Sequence, residues 1–263
     1  MRVKERFYEN KMRILLTNDD GISAKGIFAA KLALDSLGEV FLVAPERPRS
    51  AAGHAITLHK PLRATPTTLP DGSKGWATNG TPTDCVTLGF DILMEGRCDL
   101  VVSGINHGSN LGWDLTYSGT VAGALEGAIL NIPAIAISLT IGHGASGDFQ
   151  PAADFLAKLA SKIYADPIPQ NMLLNVNVPS VSESEIRGVS MTHQGKREYI
   201  DRFTVCQDPG GKTYYWQSGR LKEDAPDIGS DVHAISENRI SVTPIQLDMT
   251  AYSVLDQVRN WSF

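Results

Sequence analysis

Cysteine is scarce and scattered in this chain. Cys85, Cys98 and Cys206 are the three in 263 residues, an odd set with no CxxC spacing. That pattern excludes a disulfide framework and a cysteine-rich zinc site, and it favours a reducing compartment, so the expected location is the cytoplasm. Long apolar runs are lacking too. None reaches the length of a membrane span, and the N-terminus has no signal-peptide core, so no membrane partner is expected. There is no basic excess either: 24 Lys and Arg against 29 Asp and Glu give a net charge of −5, which argues against a stable nucleic acid partner. With 42% hydrophobic and 20% charged residues, what remains is a globular chain long enough to bury a large core. It carries no internal repeat.

The stretch Arg13-Ile-Leu-Leu-Thr-Asn-Asp-Asp-Gly21 organises the rest. Ile14, Leu15 and Leu16 form a short apolar run bounded by turn formers, as in a parallel strand buried on both faces. Asn18, Asp19, Asp20 and Gly21 arrive where that strand should end, which is where ligands bind in open α/β sheets. Neighbouring residues of a strand point to opposite faces, so the two Asp converge only if the backbone turns, and Gly21 permits that. Two readings stand: a hard-cation site, or a loop whose acids cap a helix starting near Ala24.

Ile27 to Leu37 reads as a helix ending at Gly38, and Val40–Ala44 as a second buried strand, which completes a βαβ unit. Ser50 lies in the following loop; its hydroxyl can join a magnesium or manganese shell, or it is an ordinary loop serine. Ile56–Thr65 and Trp76–Thr78 read as short strands around a turn at Pro70–Ser73. Thr81-Pro-Thr-Asp84 opens a helix with Thr81 as N-cap, Pro82 at the first position and a buried stripe of Cys85, Leu88, Ile92 and Leu93. Asp99–Ser103 is a third strand, followed by Gly104-Ile-Asn-His-Gly-Ser-Asn-Leu-Gly112. There Asn106 can offer its amide oxygen to a metal, Gly104 lets the backbone approach a ligand, and His107 is a general-acid candidate or a solvated loop residue. Ser118, Gly119 and Thr120 begin a helix of small residues, which reads as a phosphate site or as a plain Ser N-cap. Pro133–Ser138 supplies a further strand, Pro151–Ala165 a helix and Met172–Val178 another strand.

After Pro179 the pattern turns to short strands at Val189–Thr192, Tyr199–Val205, Thr213–Gln217 and Ile240–Val242, with no clear helix before Met249–Trp261. Tyr199, Phe203, Tyr214, Tyr215 and Trp216 crowd this region, as in an arm used for dimer contact or for substrate, or as in an edge hairpin. The expected organisation is an N-terminal extension over 1–11, an α/β Rossmann-like three-layer parallel-sheet core over 12–180, and a β-rich C-terminal segment over 181–263 with an arm and a terminal helix.

Five blocks occur together: Arg13–Ile22, Val43–Ser50, Gly80–Cys85, Val102–Gly112 and Tyr117–Val121. In order and spacing they resemble the SurE family, the stationary-phase survival proteins that act as metal-dependent 5′/3′-nucleotidases; Ile240–Pro244 is similar as well. The resemblance implies hydrolysis of nucleoside 5′- and 3′-monophosphates, with short polyphosphate as a further candidate substrate, and assembly as a homodimer or homotetramer. It implies one divalent ion, Mg2+ or Mn2+, per subunit, held by Asp19, Asp20, Ser50 and Asn106. Asn18, Gly53, Gly104, His107, Ser118, Gly119 and Thr120 fall around the family's phosphate pocket. Asp19 is then expected to position or deprotonate the attacking water, with Asn106 and Ser118 stabilising charge on the phosphoryl oxygens. Trp113 stands where many relatives carry a polar or acidic residue, which bears on base or sugar preference rather than on the chemistry.

Other folds with paired acids after a first strand fit less well. A receiver domain needs an Asp ending its third strand, where this chain has Gly104-Ile-Asn106. A haloacid-dehalogenase phosphatase needs its acids two residues apart. A non-catalytic nucleotide-binding module is the remaining alternative.

Overall fold

The computed structural model describes residues 11–141, 147–222 and 227–262. The expected extension therefore lies outside the described residues apart from Lys11, as does 142–146 of the Gly-rich loop after the Pro133–Ser138 strand. The core elements are β1 (Met12–Thr17), α1 (Lys25–Leu34), β2 (Gly38–Pro45), β3 (Ala64–Thr68), β4 (Lys74–Thr78), α2 (Pro82–Leu88), β5 (Leu100–His107), α3 (Gly119–Ile129), β6 (Ala134–Thr140), α4 (Gln150–Ala165) and β7 (Met172–Pro179). After them come β8 (Val189–Met191), β9 (Tyr199–Ile200), β10 (Phe203–Gln207), β11 (Thr213–Gln217), β12 (Arg220–Leu221), α5 (Asp231–Ser236), β13 (Ile240–Gln246) and α6 (Tyr252–Arg259).

Nine strands form one sheet in the order β3-β4-β2-β1-β5-β6-β7-β13-β8. The run from β4 to β7 is parallel, and β13 lies antiparallel on β7. Strand alternation divides the core into two layers. Ile14 and Leu16 join Ile27, Ala30 and Leu34 of α1 and Leu156 and Ile163 of α4 on one face, whereas Leu15 joins Val86 of α2 and Val121 and Ala124 of α3 on the other. This is the expected three-layer α/β core.

The chain leaves β1 for β2 on one side and later inserts β5 on the other. The β1/β5 seam is thus the point where strand order reverses, the ligand-binding crevice of such sheets. Thr17 pairs with Ser103 in register, so Asn18–Asp20 and Gly104–Asn106 emerge side by side.

Several local expectations need correction. Gly38 does not end a helix: α1 stops at Leu34 and Gly38 opens β2, where a Cβ would stand 1.9 Å from the Met12 carbonyl. Residues 56–63 form no strand, because their polar groups are held by side chains. Thr57 N donates to Asp84 Oδ1 (2.9 Å), and Arg63 N donates to Asn79 Oδ1 (2.9 Å). Ile92 is exposed, since the helix widens to a π turn over Gly89–Leu93 and rotates Met94 inward instead. Tyr199–Val205 splits into β9 and β10 at Asp201, whose φ is 54°. Helix α5, capped by Ser230, was not anticipated. Residues beyond 180 both complete the core sheet, through β8 and β13, and build the β9–β12 arm.

The capping box at α2 is as anticipated. Thr81 Oγ1 accepts from Asp84 N (3.1 Å) while Thr81 N donates to Asp84 Oδ2 (2.8 Å). Thr81→Ala should cost about 1 kcal/mol and lower the melting temperature by about 2–4 °C, read by thermal denaturation.

Candidate active site

Asn18 makes the turn that lets adjacent acids meet. Its Oδ1 accepts from Gly21 N (3.1 Å) and its Nδ2 donates to Gly21 O (3.0 Å), while Gly21 takes φ 96°. The amide expected near a phosphate is therefore committed to the backbone. The N-cap of α1 is Ala24 and no side chain caps it, which removes the alternative that Asp19 or Asp20 serves as a helix cap.

Asp19 is 5% exposed, and its Oδ1 accepts from Thr120 Oγ1 at 2.5 Å. Thr120, expected to face phosphate, thus holds the carboxylate in place. Gly119 is what permits the approach: a Cβ there would lie 2.8 Å from Asp19 Cβ and 2.9 Å from Oδ2. Asp20 Oδ2 accepts from the His107 backbone N (3.0 Å), tying the ends of β1 and β5 together. Burial lifts the Asp19 carboxyl above its ordinary 3.8; the Thr120 hydroxyl opposes this, and the charge of Asp20 adds to it.

Ser50 is exposed on the loop after β2, and its neighbour Arg49 donates N–H to Asp19 O (2.7 Å), which lays this loop along the acidic pair. Arg49 also reaches Asn79 O through Nη2 (2.7 Å). Gly53, at φ 57°, donates to Tyr117 O (3.0 Å), and His54 Nε2 lies 2.8 Å from Glu126 Oε2 on α3. These contacts fix the Ser50 loop against the helix that carries Ser118.

Gly104 has φ 140°, and a Cβ would sit 2.2 Å from Ile137 O, so only glycine fits. The Gly104–Ile105 peptide is cis, and the β5–β6 register shifts between Ser103 and Asn106. Asn106 Nδ2 donates to Gly108 O (2.8 Å), which leaves Oδ1 as the atom that a cation could use. His107 is exposed, its ring 6.1 Å from that of Phe149. Ser118 caps α3 by accepting from Val121 N (3.0 Å), leaving its own hydrogen to donate. It stands beside Gly119 at the start of the first helical turn.

Among the described residues no group of three or more His, Cys, Asp or Glu could hold a metal. Asp19 and Asp20, with the Ser50 hydroxyl and the Asn106 amide oxygen as further candidates, offer the kind of oxygen donors that suit Mg2+ or Mn2+ better than zinc. A buried carboxyl destabilised by its acidic neighbour is the observation that such a cation would relieve. Neither Cys85 nor Cys98 suits nucleophilic attack, since burial pushes their thiols up to about 12 and about 11.

Two clamps lay beyond sequence reasoning. Asp231 is fully buried and accepts from Gly112 N (2.8 Å), Gly195 N (2.9 Å) and Val232 N (2.8 Å). Asp114 Oδ2 accepts from Arg197 Nη1 (2.8 Å) and Tyr199 Oη (2.7 Å). Partners separated by 119 and 83 positions leave no local signal.

A family profile described as "Survival protein SurE" matches residues 14–201. A protein named 5′-nucleotidase SurE from Trichormus variabilis is 47% identical over 264 residues, covering 96% of this chain and 99% of that one. Another, from Geobacter sulfurreducens, is 48% identical, covering 95% and 94%. The crystal structure of SurE protein from Aquifex aeolicus superposes with a TM-score of 0.82 at 41% identity, covering 94% of this chain and 98% of that one.

A carboxyl raised in the folded state binds its proton more tightly there than in the unfolded chain. Stability of the metal-free protein should therefore fall as pH rises from 3.8 through the raised value. Asp19→Asn should flatten that slope and, in EDTA near neutral pH, melt above the wild type. Mg2+ or Mn2+ at roughly 100 times its Kd should stabilise the wild type by about 2.7 kcal/mol and leave the variant unmoved. A variant that melts lower in EDTA, or responds equally to the ion, would contradict this site.

Proposed function

The chain belongs to the SurE family, and from that premise we propose that it is a metal-dependent phosphomonoesterase hydrolysing nucleoside 5′- and 3′-monophosphates to nucleoside and phosphate. The observation that carries the reading is the juxtaposition of the buried Asp19 and its neighbour Asp20 with the start of α3 at the β1/β5 seam. Asp19, Asp20, Asn106 Oδ1 and Ser50 would hold one divalent ion. When bound, that ion neutralises phosphoryl oxygens and acidifies water.

The chain's own groups do the remaining work. Asp19, fixed by Thr120, orients the attacking water and accepts its proton. Ser118 Oγ–H and the N–H of Gly119 donate to phosphoryl oxygens, where charge develops in the transition state. Gly53 and Gly104 keep the surrounding backbone close. His107, exposed and tied to Asp20 through its backbone N–H, is the side-chain candidate to protonate the leaving alkoxide, a role a metal-bound water would also fill.

The arm is proposed as the assembly element of a homodimer or homotetramer. Phe203, Val205, Tyr215 and Trp216 are each more than 60% exposed there. Free cysteines fit a reducing compartment, the cytoplasm. Among the described residues no helix is long and apolar enough to cross a membrane.

Phosphate release from 5′- and 3′-nucleotides should require Mg2+ or Mn2+, stop with EDTA, and fall by at least about 100-fold in Asp20→Asn. Nucleotide binding without release under any metal would favour the binding-module reading instead. Deleting 203–217 should lower the mass seen by light scattering; an unchanged mass would reject the arm's part in assembly.

A further inference from the structure

An exposed tryptophan is ordinarily unremarked, but Trp113 sits on a turn held with unusual firmness. The 3-10 turn Gly112–Tyr117 ends at Ser118, the N-cap of α3. Gly112 is fixed at both polar groups: its N–H donates to the buried Asp231, and its carbonyl accepts from Gln194 Nε2 (3.0 Å). Asp114 is gripped by Arg197 and Tyr199. The Trp113 carbonyl itself accepts from Thr116 Oγ1 (2.8 Å). Between these anchors Trp113 remains 45% exposed, with the Lys196 ammonium 6.0 Å from its ring centroid.

A rigid backbone presenting an open aromatic face is a preorganised stacking platform, because little freedom is lost when a planar ligand settles on it. At roughly 2.0 Å of rise per residue, the five steps from Trp113 to Ser118 span about 10 Å. That is the order of the distance from a phosphate across a ribose to its base. The Lys196 ammonium lies over the ring, and the remaining exposed surface of Trp113 is what a base would use.

We propose that Trp113, backed by Lys196, is the nucleoside-facing element of this site and stacks the base of a bound nucleoside monophosphate. The proposal rests on the nucleotidase reading above and adds what selects a nucleotide over a simpler phosphate ester. Trp113 touches no phosphoryl group, so its contribution lies in binding rather than in the bond-breaking step.

The test compares adenosine 5′-monophosphate with ribose 5-phosphate, which share the phosphate and sugar, for the wild type, Trp113→Ala and Trp113→Phe. Trp113→Ala should raise KM for the nucleotide by about tenfold, about 1.4 kcal/mol, with kcat within about twofold. Its kinetics on ribose 5-phosphate should match the wild type, and Trp113→Phe should recover most of the loss. Equal losses on both esters would assign Trp113 a structural part and overturn the proposal, as would no change on either. Hydrolysis of neither ester by the wild type would overturn the nucleotidase reading itself, and this proposal with it.

Discussion

Two carboxylates next to each other in the chain, one of them nearly water-free, are an electrostatic cost that the rest of the molecule is arranged to manage. Burial disfavours the charge on Asp19 and the neighbouring Asp20 adds repulsion, with the Thr120 hydroxyl as partial compensation. A fold meeting only structural needs would place an amide or an apolar residue at such a seam. Retaining the pair makes sense where a cation completes the balance, because opposite charge within a few ångströms restores the ionised form.

The surrounding architecture serves that pair. The sheet reverses its strand order at β1/β5, so the ends of both strands open into one crevice. Glycine occupies the points of closest approach: Gly119 against Asp19, and Gly104 against the Ile137 carbonyl. The Ser50 loop is tied to the end of β1 and to α3 by Arg49 and His54–Glu126, and the 112–117 turn to the residues around the arm by Asp231 and Asp114–Arg197. Through the last two clamps the root of the β arm contacts the turn that delivers Ser118, so the C-terminal segment helps hold that turn in place.

What was legible in the sequence was local. The buried run Ile14–Leu16 with its polar end, the Thr81–Asp84 capping box and the Ser118 cap each depend on residues within a turn of one another, and each stands in the structure as read. Misreadings arose where distant partners decided. Residues 56–63 look extended, yet Asp84 and Asn79 take the hydrogen bonds a strand would have used. Ile92 follows helical spacing, yet a π turn shifts the phase. Asn18 and Thr120 were recognised as belonging to the site, but their side chains support Gly21 and Asp19. Asp231 gave no signal at all, since its meaning lies in two glycine N–H groups brought to it by the fold.

The central claim is that Asp19 and Asp20 hold a divalent cation together with oxygen from Asn106 and Ser50. Anomalous diffraction from crystals grown with Mn2+ tests it without recourse to turnover. The account predicts one strong peak per subunit within about 2.0–2.6 Å of oxygens from both aspartates, with Asn106 Oδ1 in the same shell. A peak bound elsewhere on the chain, or none at the aspartates under saturating Mn2+, would contradict it.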